Sequence, residues 1–263
     1  MKTNYGGIFM KNFKRIFSII LLSGIIIGNS FAYSQSLRNG YLIGLRAGLS
    51  IPSLKGGNTP LSEGYTSRSG LGFGLFVADK FTNSFAVQVE LTYVNEGGIR
   101  DGMQPITDPA VPQDLILYAN FKNEAIFNYV EIPLLAKYCT SLLENLHFYV
   151  GAGPYMGILV EAKTKTSGIS RIYWDKEGKV PIIVNGEPLP PQNFDNVRDI
   201  RSDIKKTNFG LMGSIGLSTR FLGNIISLDA RGAYGLTKIQ KDPKNGENNV
   251  GYFLITLAYA IEL

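Results

Sequence analysis

The chain has 263 residues, of which 44% are hydrophobic, 11% aromatic and only 18% charged, which suits one buried domain, or at most two, and excludes a disordered chain. Its formal charge is +5, but Lys2, Lys11, Lys14 and Arg15 precede residue 35 with no acid among them, leaving 22 basic against 21 acidic residues beyond. That near-neutral remainder removes the compositional case for a nucleic-acid partner, and a single cysteine, Cys139, with a single histidine, His147, excludes an intramolecular disulfide and a Cys/His zinc centre.

From Met10, an alternative start, the amino end reads MKNFKRIFSIILLSGIIIGNSFAYSQ. Lys11, Lys14 and Arg15 form a basic head, Ile16 to Ile27 an uncharged apolar stretch, and Ser30-Phe31-Ala32 or Ala32-Tyr33-Ser34 a small-x-small cleavage site. This pattern predicts an export signal over residues 1–34, cleaved after Ala32 or Ser34. The apolar stretch falls short of the roughly 20 residues a spanning helix needs. No cysteine follows to carry a lipid anchor. Residues 35–263 are predicted to form one domain.

What recurs in that domain is alternation with a period of two, the mark of strands. Tyr41 to Ile51 sets Ile43, Leu45 and Leu49 opposite Arg46, and Leu71 to Val77 sets Leu71, Phe73, Leu75 and Val77 opposite glycines. Phe85 to Tyr93 places Phe85, Val87, Val89, Leu91 and Tyr93 against Ala86, Gln88, Glu90 and Thr92. YVEIPLLAKY, residues 129–138, has Val130, Ile132, Leu134, Ala136 and Tyr138 on one face and Glu131, Pro133 and Lys137 on the other. Residues 147–161 and 208–220 are glycine-rich strands, Ile226 to Tyr234 opposes Leu228 to Asp229 and Arg231, and Gly251 to Leu263 alternates to the last residue. Because proline cannot donate to a ladder, a bulge or bend is expected at Pro133.

The connections alternate in length. Those near 79–84, 140–145 and 222–224 are short, and those at 52–69, 99–125, 161–207 and 237–249 are long. An even strand number with short turns at one end and long loops at the other is the pattern of outer-membrane barrels. Face polarity points the same way. The apolar faces are rich in Leu, Ile, Val and Phe; the opposite faces mix Gly and Ala with charges of both signs, namely Arg46, Glu90, Glu131, Lys137, Arg220, Asp229 and Arg231. Small residues with balanced charge fit a confined interior where ions pair. A soluble lipocalin-like barrel would reverse the faces. The expected fold is therefore all-β, an eight-stranded antiparallel up-and-down transmembrane barrel with a filled polar lumen. Phe81, Phe85, Tyr93, Tyr129, Tyr138, Phe148, Phe221, Tyr234 and Tyr259 are expected to form aromatic girdles at its two rims.

In this order the segments GLRAGLS, VQVELTYVNEGG, YVEIPLLAKY, FYVGAGPYMG, NFGLMGSIGL and LDARGAYGLTKI resemble PorT-family outer-membrane β-barrel proteins across nearly the whole exported chain. The resemblance implies an outer-membrane location and an eight-stranded fold. The family's namesake assists protein secretion across the outer membrane, a role that kinship of fold does not transfer.

No motif for chemistry stands out. Gly151, Gly153 and Gly157 are spaced GxGxxxG within a strand, which fails the dinucleotide loop. Glu90, Glu131 and Asp229 are better read as one structural network with Arg46, Lys137 and Arg231 than as acid/base catalysts, because catalysis needs a cleft that mid-strand lumen positions lack. Neither cofactor nor metal is expected. The long 161–207 loop carries Tyr173 and Trp174, the one tryptophan, as candidates for contact with another envelope protein. The expected role is that of a non-enzymatic, monomeric structural or accessory barrel held in outer-membrane lipid. The alternative is a passive channel for small solutes.

Overall fold

The computed structural model describes residues 40–106 and 115–263. The expected signal over 1–34 lies outside the described residues. Eight long strands make the fold: β1 (Tyr41–Gly56), β2 (Gly70–Lys80), β3 (Phe85–Pro105), β4 (Tyr118–Leu143), β5 (Leu146–Ser167), β6 (Thr207–Phe221), β7 (Asn224–Gly235) and β8 (Asn248–Glu262). Each pairs antiparallel with the next in sequence, and β8 returns to β1 from Leu42↔Glu262 to Gly56↔Asn248. The ring is closed, so no barrel strand is left as a free edge along the apolar band.

Closure with this alternation puts two different surfaces on the two sides of one sheet. Leu45, Leu49, Leu75, Leu211, Ile215, Leu228, Ile255 and Leu257 are exposed on the outside, while Arg46, Glu90, Glu131, Asp229, Arg231 and Thr256 are buried inside. Such an apolar outer band has no stable place in water, and in hydrocarbon it needs every backbone group paired, which the closed ladder provides.

Several lumen glycines stand opposite an aromatic ring on the neighbouring strand: Gly44 pairs with Phe76, Gly210 with Tyr155 and Gly216 with Tyr149. A Cβ added at Gly216 would run into the Tyr149 ring and approach the Leu228 carbonyl at 2.7 Å, whereas at lipid-facing Gly213 it would meet nothing within 4 Å. Gly216→Val is therefore expected to abolish most of the folded, heat-modifiable band on unboiled gels, and Gly213→Val to leave it intact.

The strands run further than alternation alone suggested. Residues 99–125, read as a loop from the sequence, are strand as far as Pro105 and again from Tyr118. The Asn-Glu-Gly-Gly stretch after Val94 does not end β3: Gly97 takes a φ of 119° while its pairing with Ile126 continues the ladder. Pairing of β3 and β4 out to Pro105↔Tyr118, and of β4 and β5 out to Lys122↔Ser167, raises a sheet above the rest of the barrel.

Pro133 produces no bulge. Pairs on either side of it keep one register with both neighbours, Val89↔Leu134 and Thr92↔Glu131 with β3, and Pro133↔Tyr155 and Ala136↔Ala152 with β5. The ladder is interrupted between those pairs on both sides, so the missing donor is absorbed as a gap without an added residue. Of the two register shifts between β4 and β5, the nearer falls between Asn128↔Glu161 and Tyr129↔Leu159, where Val160 is the extra residue, and the other between Ser141 and Leu143. Two further expectations change. Tyr129 belongs to no girdle, being fully buried in the lumen, because the odd-numbered face of β4 points inward. Arg220 does not enter the lumen; it sits exposed at the short-turn end and pairs with Glu262, which also binds Lys80 at 2.7 Å.

Candidate functional site

The interior has three layers, and only the lowest one, towards the short turns, is the ionic network expected from the sequence. Four of the six predicted residues meet there. Arg231 reaches both Glu90 oxygens, at 2.9 and 2.7 Å, and bonds Asp229 through Nε. Arg46 lies 3.4 Å from Glu90 and 3.5 Å from Asp229. The remaining lone pairs are covered: Gln88 donates to Glu90, and the Tyr149 hydroxyl donates to Asp229 at 2.8 Å. Lys137 joins through neighbours, donating to Gln88 at 3.2 Å and standing 3.7 Å from the centre of the Tyr149 ring, where the face of the ring favours a cation. Arg46 is likewise held over Phe76, at 4.8 Å.

Glu131 is not part of this network. It lies a layer higher, accepting a hydrogen bond from the Tyr252 hydroxyl at 2.5 Å, and its close neighbour is Glu96. The sequence reading missed Glu96 because it ended β3 at Tyr93. Extending the even-numbered series Gln88, Glu90, Thr92, Val94 by one more step finds it. Tyr149 and Tyr252 were also missed, since a tyrosine reads as apolar until a buried carboxylate is found beside its hydroxyl.

Above these carboxyls the lumen also holds an apolar cluster, next to the buried Asn248 and Asn249. Leu54, Phe127 and Val250 pack there with Ile204 and Ile239, which arrive from the connections after β5 and β7. The connections are pinned in place: the Lys205 amide donates to the Ile239 carbonyl and the Ile239 amide to the Asn248 carbonyl, at 2.8 and 2.9 Å. A side-chain plug at one end and an ion cluster below it fill the lumen of an eight-stranded barrel.

The candidate contact residues Tyr173 and Trp174 stand at the long-loop end. The loop there is built from short pairings: 196–199 with β5, 169–170 with 192–193, 183–184 with 187–188, and Tyr173 with Tyr118. Trp174 is exposed, and its amide donates to the Val180 carbonyl at 2.9 Å. Asp175 closes this turn by accepting from the Lys179 and Val180 amides at 3.0 and 2.6 Å. The Lys179 amide, with that of Val180, holds the Asp175 carboxyl below the usual carboxylate range. The support it lends the turn is thus present above the ordinary carboxylate pKa and is lost as acid protonates it. Ile169, Val180, Ile183 and Val197 are exposed on the same loop.

Among the described residues no group of three or more His, Cys, Asp and Glu is arranged to hold a metal, and no helix is long and apolar enough to cross a membrane. No curated protein matches the chain. Solved structures with a similar arrangement include OprG of Pseudomonas aeruginosa, at 12% identity over 85% of this chain and 96% of that one with a TM-score of 0.40. They also include Neisserial surface protein A, at 12% identity over 83% and 95% with a TM-score of 0.39, and the attachment invasion locus protein Ail of Yersinia pestis, at 15% identity over 84% and 98% with a TM-score of 0.35. The profile of the outer membrane protein beta-barrel domain matches residues 33–241. The closed eight-stranded ring, its apolar outer face and that match over most of the chain place the protein in the outer membrane protein beta-barrel domain family.

Proposed function

We propose that this outer-membrane barrel is a non-enzymatic structural or accessory protein of the PorT type, whose long-loop end contacts a protein partner of the envelope. The observation that carries this reading is the contrast between its two ends. The lumen is occupied by the Arg46–Glu90–Asp229–Arg231 cluster and by the plug over it, so the residues leave the interior to stability. The loop end, by contrast, is an ordered sheet that presents Trp174 and a group of aliphatic side chains to water. An exposed tryptophan on a braced loop is the kind of residue that anchors protein interfaces. Ordering a loop of this length has a conformational cost that a free surface would not repay.

A photo-crosslinking residue placed at Trp174 is expected to capture one discrete envelope protein in intact cells, and the same residue at lipid-facing Leu75 to capture none. Recovery of no adduct from position 174 would overturn the partner reading. The same filled lumen predicts no single-channel conductance from purified protein in planar bilayers. Reproducible conductance would replace the accessory role with that of a passive small-solute channel.

A further inference from the structure

The layer between the ion cluster and the apolar plug contains an imbalance of charge that no side chain resolves. Glu96 and Glu131 are both fully buried, and each carboxyl lies within electrostatic reach of the other. The cations beneath are engaged elsewhere: Arg46 and Arg231 with Glu90 and Asp229, and Lys137 with Gln88 and Tyr149. Arg68 touches only the Glu96 main-chain carbonyl, at 3.2 Å, and its charge pairs with Glu124 at 2.9 Å. Of the other groups facing the pair, Tyr129, Tyr155 and Tyr252 are neutral hydroxyls, and Glu90 adds negative charge. The buried lumen therefore holds three cations, Arg46, Lys137 and Arg231, against four carboxyls, Glu90, Glu96, Glu131 and Asp229.

A second observation marks the same place. Both Glu96 oxygens, Glu131 Oε1, the Tyr129 hydroxyl and Asn208 Oδ1 are buried without a hydrogen-bond partner. Oxygens of two carboxylates cannot stand against each other in a low dielectric unless something positive lies between them. One unit of positive charge brings the lumen to neutrality, whereas a divalent ion would overshoot.

We propose that Glu96 and Glu131 form a proton-binding site in which the two carboxyls share a single proton, with Tyr252 fixing the Glu131 side of the pair. The proton comes from solvent and returns to it; no other bond changes. Because Glu131 and Tyr252 join β4 to β8 directly beneath Phe127 and Val250, loss of the proton places a second negative charge under the plug that Ile204 and Ile239 complete. The site thus couples the pH around the barrel to the firmness with which the loop end is seated. This goes beyond what the loops contact and stands or falls independently of it.

Infrared difference spectroscopy of the full chain in detergent, titrated with and without a chelator and with sodium replaced by choline, tests the proposal. The expected result is a protonated-carboxyl carbonyl band at neutral pH, unaffected by the choice of cation, that disappears as pH rises and is missing in both Glu96→Gln and Glu131→Gln. The glutamine amide there stands in for the protonated partner. The folded state binds a proton that an ordinary glutamate in the unfolded chain has already released. Wild-type stability is therefore greatest near the ordinary glutamate pKa and falls as pH rises towards release of the shared proton, by about 3–5 °C in midpoint per pH unit. Either glutamine variant should show a flat midpoint over that window. Absence of the band in the wild type at neutral pH, its survival in both variants, or a midpoint that follows sodium or calcium in place of pH would overturn the proposal. The wild-type titration decides the matter even if neither variant folds.

Discussion

Arg231→Met is expected to lower the unfolding free energy of the barrel by about 3–5 kcal/mol, the range for removing one member of a buried ion pair. Arg231 holds both Glu90 oxygens and also bonds Asp229. Without it, two fully buried carboxylates keep Arg46 as their one direct ion-pair partner, at 3.4 and 3.5 Å. Methionine fills much of the arginine volume, so the loss reports stranded charge more than a cavity. The check is the urea midpoint of the folded fraction on unboiled gels. The double variant Arg231→Met with Glu90→Gln should recover a large part of the loss, since it removes a charge on each side of the pair. Lys80→Met provides the scale: its 2.7 Å bond to Glu262 is partly exposed at the rim, and such pairs contribute less than about 1 kcal/mol. Equal losses from Arg231→Met and Lys80→Met would show that the lumen cluster is wet and exchangeable.

The parts of this structure legible in the sequence are those fixed by a period of two. One face of each strand must meet lipid and the other must fit a narrow interior. Val89 and Glu90, or Leu228 and Asp229, announce their sides by polarity alone, and the same logic puts Arg46, Glu90, Asp229 and Arg231 inside. Alternation carries no information on height along the barrel axis, however. That is set by stagger between strands, and it is why Glu131 was grouped with cations that lie a layer below it. Strand ends were obscure for a related reason. Above the lipid band no solvent contrast divides the two faces, so β3 and β4 continue through Glu96-Gly97-Gly98 and Asn123-Glu124 without a hydrophobic pattern to show it. Tyr129 illustrates the limit of residue type as a guide: tyrosine is equally at home in an interfacial girdle and against a buried carboxyl. The plug was out of reach altogether, because Ile204 and Ile239 lie in connections whose docking depends on tertiary contacts.

Leu257→Arg is expected to cost about 2–4 kcal/mol, the value for a cation on the lipid face of a barrel at mid-depth. Leu257 sits near the middle of the outward series Phe253, Ile255, Leu257, Tyr259 and Ile261. It pairs with Ala47 on β1 and Leu228 on β7, and its side chain is exposed with theirs on the outside. An arginine there has no lumen carboxylate in reach, since Asp229 faces the other way, and it must stretch to a rim or thin the lipid around it. The same substitution on a β-barrel in water would place a charge on an exposed surface, where changes usually stay within about 0.5 kcal/mol. Refolding into lipid bilayers across a urea series separates the two cases. At Phe85, on the outward face beside the short turn to β2, the cost of arginine should fall to about 0–1 kcal/mol, because depth and not exposure sets it. A Leu257→Arg barrel as stable as the Phe85→Arg one would mean that the apolar outer face is covered by something other than lipid.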